Sequence, residues 1–229
     1  MSIYLYLFTI KSDFFTKFAQ RMKFSIITPC YNSGQFLKET MLSVLTQAGD
    51  FSIQYLLIDG GSTDQSMTIA ANIQGKLQSG KLWCHCRHIS LEVISEPDKG
   101  MYDAIAKGFE KASGEVVAYL NADDIYLPGA LQSIQHVFAL RQEINWVSAR
   151  HLKIDEEGNT LMSFLPFNYR SDLLRAGLHG TVLPYVQQEN VFWRSHLLRE
   201  VNLETFRSYR LAGDFYLWFV LQPRTPCIF

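Results

Sequence analysis

The chain has 229 residues, 48% of them hydrophobic and 14% aromatic, which is enough to bury one sizeable core. Its 21 Lys and Arg against 22 Asp and Glu leave no basic excess, which argues against a nucleic-acid partner. No run reaches the roughly 18 apolar residues that a membrane helix needs, which leaves only peripheral contact with a membrane surface open.

The opening Ile3-Tyr4-Leu5-Tyr6-Leu7-Phe8-Thr9-Ile10 is apolar, but no basic residue precedes it and no small-residue cleavage site follows, so a signal peptide is not expected. The segment can be an edge strand, an interfacial anchor or residues upstream of the natural start, and Met22, directly before the first good strand, favours the last for residues 1–21. Cys30, Cys84, Cys86 and Cys227 show no disulfide-framework spacing, and a reducing compartment is the simpler reading. Cys84-His85-Cys86-Arg87-His88 invites a zinc site, yet lacks a second ligand pair at finger-like spacing; an ordinary surface segment is expected there.

Phe24-Ser25-Ile26-Ile27-Thr28 reads as a first strand, followed by a loop over Pro29-Cys30-Tyr31-Asn32-Ser33-Gly34. Leu37, Met41, Val44 and Leu45 recur at helical spacing and define one buried face. A second strand from Phe51 to Ile58 ends at Asp59. Gly60 and Gly61 then permit a tight turn, and Ser62 with Gln65 reads as a capping box that opens the next helix. Leu91 to Ser95 forms a third strand ending in Glu96-Pro97-Asp98-Lys99-Gly100, and the helix after it, from about Met101 to Ala112, is expected to close at Gly114. The fourth strand, Val116-Val117-Ala118-Tyr119-Leu120, stops at Asn121-Ala122-Asp123-Asp124. Pro128 is placed to open a helix with Leu131, Ile134, Val137 and Phe138 on its buried face.

Strand and helix alternate four times, which predicts an α/β fold with a single Rossmann-like, mostly parallel sheet flanked by helices. In each repeat the polar chemistry falls at the strand's carboxyl end, at Thr28–Tyr31, Asp59, Asp98–Lys99 and Asp123–Asp124, where open α/β sheets bind ligands. The remainder is less regular. It offers a strand at Trp146-Val147-Ser148, a hairpin turn at Asp155–Asn159, a short helix from Ser171 to Ala176, and, after Leu211-Ala212-Gly213-Asp214, an apolar helical run through Leu221 that Pro223 stops.

Adjacent Asp123 and Asp124 repel one another unless a cation joins them. Mg²⁺ or Mn²⁺ held by few protein ligands completes its shell with water and ligand phosphates, which implies a nucleoside diphosphate compound. The competing reading has both acids simply opening the helix at Pro128, where the helix dipole favours them. Asp59 can accept from a base N–H or serve only as a turn residue, and Tyr31 can lie against a base face. Lys99 can meet a phosphate as a point charge or remain solvated. Neither Gly-x-Gly-x-x-Gly nor Gly-Lys-Ser/Thr occurs, which disfavours dinucleotide and Walker-type phosphate binding.

Four segments in order, Phe24–Asn32, Ile58–Asp64, Ser95–Ala104 and Leu120–Asp124, resemble the successive signatures of family 2 glycosyltransferases of GT-A fold. The resemblance implies inverting transfer of a sugar from a UDP- or GDP-type donor to a glycan or lipid-linked acceptor, with Mn²⁺ or Mg²⁺, in polysaccharide or glycolipid synthesis at the cytoplasmic face of a membrane. It divides the chain at 22–229 into a nucleotide-sugar-binding half (22–131) and an acceptor half (132–229). By the same resemblance Thr28, Pro29 and Tyr31 line the nucleoside pocket, Asp59 reads the base, and Asp98 and Lys99 lie beside the nucleotide. Asn121 and Asp123 occupy the outer positions of the family's Asp-x-Asp element, with Asp123 as principal metal ligand and Asp124 supporting it or reaching the ribose or sugar. Asp214 matches the position of the general base. Gln188, Glu189 and Trp193 fall in a segment lining the sugar and acceptor side, although Trp193 can equally fill the core.

The sequence departs from the family pattern at Asn121, at Ala106 where many relatives carry asparagine, and at Val220 where arginine is frequent. Relatives commonly continue with further helices, so a truncated module that holds nucleotide sugar without transferring it is the alternative. A sugar nucleotidyltransferase ranks below both, because no Gly-rich, Arg/Lys-containing triphosphate loop follows the first strand.

Overall fold

The first strand, β1 (Met22–Cys30), is buried at every position but one, Ser25 and Thr28 included. A continuous run of this kind belongs to a strand covered on both faces. The structure, a computed structural model, describes residues 21–155, 157–166 and 169–221, so the expectations for Ile3–Ile10 and Pro223 lie outside the described residues. Helix α1 (Leu37–Leu45), β2 (Gly49–Asp59), α2 (Ser66–Gln78), β3 (Cys86–Ser95), α3 (Met101–Lys111), β4 (Val116–Tyr119) and α4 (Ala130–Leu140) complete the alternating half. After them come β5 (Trp146–Ser148), the hairpin β6 (His151–Ile154) and β7 (Thr160–Phe164), α5 (Ser171–Arg175), β8 (Val191–Arg194), α6 (Leu203–Ser208) and α7 (Gly213–Leu221).

The main sheet has six strands in the order β3-β2-β1-β4-β8-β5. Its first four are mutually parallel, while β8 runs antiparallel to both β4 and β5. Side chains of β1 alternate between two cores: Phe24 and Ile26 join Leu37, Met41 and Phe138 on one face, and Ile27 joins Ile105, Trp193 and Trp218 on the other. The face expected of α1 is the buried one, with Leu37, Met41, Val44 and Leu45 all inaccessible. On α4, Leu131, Ile134 and Phe138 are buried and Val137 packs half-covered beside them.

Three local expectations are corrected. No capping box forms at Ser62 and Gln65: α2 opens only at Ser66, whose N–H donates to Asp64 Oδ1 at 2.9 Å, while the Ser62 hydroxyl turns to Asp59. Gly114 is no helix cap, because α3 ends at Lys111 and Ala112 is already extended. Its glycine is needed for close approach instead, since a Cβ there would lie 2.6 Å from the Ser25 backbone nitrogen. Pro128 stands one step outside α4, whose N-cap is Gly129 at φ 82°.

Candidate active site

Sheet register brings the strand ends together. Cys30 pairs with Asp59, Asp59 pairs with Ser95, and β4 stops level with Ile27, whose carbonyl receives the Leu120 N–H at 2.9 Å. Strand order reverses at β1, with β2 on one side and β4 on the other, and such a switch point opens a crevice at the carboxyl edge. A cavity of about 760 Å³ lies there, and Pro29, Tyr31, Asp98, Asn121 and Asp123 all line it. Tyr31 keeps 64% of its surface exposed, so its ring face is free to stack.

The two loops framing this cavity are tied together through polar side chains. Asn32, at φ 50°, accepts the N–H groups of Thr63 and Asp64 on its Oδ1 at 2.9 and 3.3 Å, and donates its own N–H to Ser62 Oγ at 2.8 Å. Asp59 is completely buried beneath them. Its carboxylate accepts from the N–H groups of Gly61 and Ser62, each at 3.1 Å, and from the hydroxyls of Ser62 and Ser95. These donors belong to its own turn and the neighbouring strand, so the expected reading of a base by this carboxylate gives way to a scaffolding role. Gly60 covers it on the cavity side, and a Cβ at Gly60 would meet the Asp98 carboxylate at 2.5 Å. The missing side chain is what lets Asp98 lie across the turn.

Thr28 is also fully buried and accepts the Tyr55 hydroxyl at 3.0 Å, so it supports the cavity floor rather than lining it. Lys99 is exposed and does not line the cavity; its backbone N–H donates to Asp103 Oδ2 at 3.0 Å at the start of α3.

The acids after β4 lie well ahead of α4, which begins at Ala130, and so do not serve as its first turn. Asp123 is exposed, whereas Asp124 is half-buried, with the side-chain amides of Gln188 and Asn121 near enough to favour its charged form. Burial first, then the charges of Glu189 and Asp123, push the Asp124 carboxyl up to about 7. Glu189 is likewise raised, chiefly by burial, with Asp123 and Asp214 adding to it. The side-chain oxygens Asn121 Oδ1 and Gln188 Oε1 are buried with no hydrogen-bond partner. Orphaned acceptors beside crowded carboxylates fit a hard divalent cation, which takes oxygen ligands. Among the described residues no three Asp, Glu, His or Cys side chains form a preformed cage.

A measurable consequence follows from Asp124. Its unfolded-chain value is 3.8 and its folded value about 7, so between those limits the native state binds the additional proton. Stability therefore falls as pH rises through that window. In chelator, the melting temperature should drop from pH 5 to pH 8, and Asp124→Asn should flatten that slope. An unchanged slope in the variant would remove the burial argument.

Asp214 opens α7 and is 8% exposed. The Tyr102 hydroxyl donates to its Oδ1 at 3.1 Å, and burial, then the nearby Asp214 carboxylate, raises the Tyr185 phenol. It is not among the residues lining the cavity, and is linked to that edge through Glu189, which feels both Asp123 and Asp214. Trp193 has no exposed surface and packs edge-on against Phe109 and Trp218, with ring centroids 5.7 and 6.2 Å away. Of its two readings, core filling holds, because β8 turns that side chain into the sheet's inner face. Tyr102 had a sequence signal in the segment Ser95–Ala104, whereas Tyr185 carried none.

A model of the family described as glycosyl transferase family 2 matches residues 25–201. An uncharacterized glycosyltransferase from Nostoc sp. is 34% identical over 117 residues, 51% of this chain and 33% of that protein. Among solved structures, S. aureus TarS (residues 1–349) superposes with a TM-score of 0.61 at 16% identity, covering 90% of this chain and 58% of its own. The mannosyltransferase PcManGT from Pyrobaculum calidifontis gives 0.52 at 17% identity, covering 80% and 47%. This chain thus spans less than two thirds of each of these proteins. The match runs through β1 to β8, taking in every loop that frames the cavity, and so the chain belongs to glycosyltransferase family 2, with a GT-A fold.

Proposed function

We propose that this chain transfers a sugar, with inversion, from a nucleoside-diphosphate sugar to a hydroxyl of a glycan or lipid-linked acceptor in polysaccharide or glycolipid synthesis. The observation that carries the reading is the switch-point cavity, with the open ring of Tyr31 on one wall and Asn121 and Asp123 on the other. Among the described residues no helix is long and apolar enough to cross a membrane. TarS in complex with UDP-GlcNAc and PcManGT in complex with GDP-Man and Mn²⁺ support a donor of this class.

Tyr31 would stack on the base and Asp98 would stand beside the nucleotide, both from the rigid ends of parallel strands. Asn121 and Asp123 would hold Mn²⁺ or Mg²⁺, with Asp124 and Gln188 behind them. Bound there, the cation would offset charge developing on the departing diphosphate. Asp214, across the cleft, would take the proton of the acceptor hydroxyl as it attacks the anomeric carbon.

The test is a thermal-shift series with UDP, GDP, CDP and dTDP, with and without Mn²⁺, followed by donor turnover against glycan acceptors. A ligand at about 100 times its Kd adds ~2.7 kcal/mol to the native state. We expect UDP or GDP to raise the melting temperature only with the cation, and sugar to be transferred. No nucleotide-dependent shift would overturn the donor reading. Nucleotide bound but neither transferred nor hydrolysed would establish a binding module, and pyrophosphate release from a nucleoside triphosphate would establish a nucleotidyltransferase.

A further inference from the structure

Two tyrosines from distant segments are seated on glycines that leave no room for a Cβ. Tyr102, on α3, lies against Gly213, where a Cβ would come within 2.8 Å of its ring. Tyr185 lies against Gly180, where a Cβ would again come within 2.8 Å, and Gly180 itself has φ 92°. Neither ring could occupy its place beside a larger residue; the Tyr102 hydroxyl donates to the Asp214 carboxylate at 3.1 Å, and the Tyr185 phenol lies near enough to feel the same charge. The residue before Gly213, Ala212, holds a left-handed φ of 57°, and its carbonyl accepts the Phe215 N–H at 3.1 Å. Backbone conformation of that kind costs on the order of 1 kcal/mol for a residue with a Cβ and persists where surroundings over-determine it.

We propose that Tyr102 and Tyr185 form a phenolic clamp that positions the Asp214 carboxylate, so that its remaining acceptor capacity is presented to the acceptor hydroxyl. The inference rests on the glycosyltransfer reading and deepens it by assigning two positioning residues. Neither phenol gives up its own proton near neutrality. Burial, then the charge of Asp214, pushes Tyr102 up to about 12, and burial raises Tyr185 further. Both therefore remain donors, and hydrogen bonds to an ionised acceptor are the strong ones. The other titratable groups that sense Asp214 are the buried Tyr119, whose hydroxyl has no partner, and Glu189. Tyr102 is otherwise fixed by its edge-to-face contact with Phe206, ring centroids 5.3 Å apart, which Phe at 102 would preserve.

The experiment compares Tyr102→Phe, Tyr185→Phe and the double variant with Asp214→Asn, measuring kcat, donor KM, melting temperature and the pH dependence of kcat/KM. Each single variant should lose ~10-fold in kcat, the worth of one charge-assisted hydrogen bond, with donor KM unchanged. Removing a donor to the ionised carboxylate should also move the acidic limb of kcat/KM to higher pH. An acidic limb that stays in place in both single variants overturns the clamp, even if kcat and melting temperature fall together, because that pattern belongs to a packing role. Wild-type transfer by Asp214→Asn would instead overturn the base assignment, a result that the tyrosine variants alone cannot produce.

Discussion

Asp123→Ala is expected to lower sugar transfer by at least ~10³-fold and to abolish the part of nucleotide binding that depends on Mn²⁺. Asp123 is the one exposed carboxylate in the group formed with Asp124 and Glu189, and it lines the cavity. Its two acidic neighbours are half-buried and both raised chiefly by burial, Asp124 to about 7, so Asp123 is the one of the three that faces the cavity as an open carboxylate. Loss of Asp123 also removes one source of repulsion on both, so folding should be unimpaired or slightly improved. The measurement is donor turnover together with the cation-dependent shift in melting temperature. Transfer at the wild-type rate would eliminate the metal assignment, and loss of nucleotide binding in the absence of cation would point to a structural role for Asp123.

What could be read from the sequence was the part governed by periodicity and by the position of polar residues at strand ends. The buried strands β1 and β4, the apolar face of α1 and the carboxyl-edge location of Asp98, Asn121 and Asp123 all follow from that logic. Misreadings arose where a side chain's partner is set by tertiary register. Asp59 looks like a free recognition group, but Ser95 on the adjacent strand and Ser62 in its own turn occupy its oxygens. Ser62 was for the same reason unavailable to cap α2. Trp193 left two readings open in sequence, and only the tertiary register decides between them: β8 inserts antiparallel between β4 and β5, and pairing opposite Val117 and Trp146 buries it. An antiparallel insertion into a parallel sheet has no local signature, because it is decided by which edge remains open once the βα units have packed. The Tyr185–Gly180 contact is equally invisible, since close packing of a ring on a glycine leaves no period to detect.

Asp214→Asn should leave nucleotide binding intact and slow transfer by roughly 10²–10⁴-fold, the usual contribution of a positioned general base. The substitution keeps the shape of a side chain that is 8% exposed, and its amide oxygen can still accept from Tyr102. Alanine would be a poorer probe, because it would leave the buried Tyr102 phenol without its acceptor. The amide has no lone pair basic enough to take the hydroxyl proton, so the variant separates proton transfer from packing. Binding should persist because Asp214 is carried by α7 and does not line the nucleotide cavity, whose walls come from the ends of β1 and β4 and the start of α3. If melting temperature and nucleotide affinity fall in step with the rate, the carboxylate is holding α7 in place. If only the rate falls, a weak external base such as azide or formate that restores part of it would identify the missing function as proton removal.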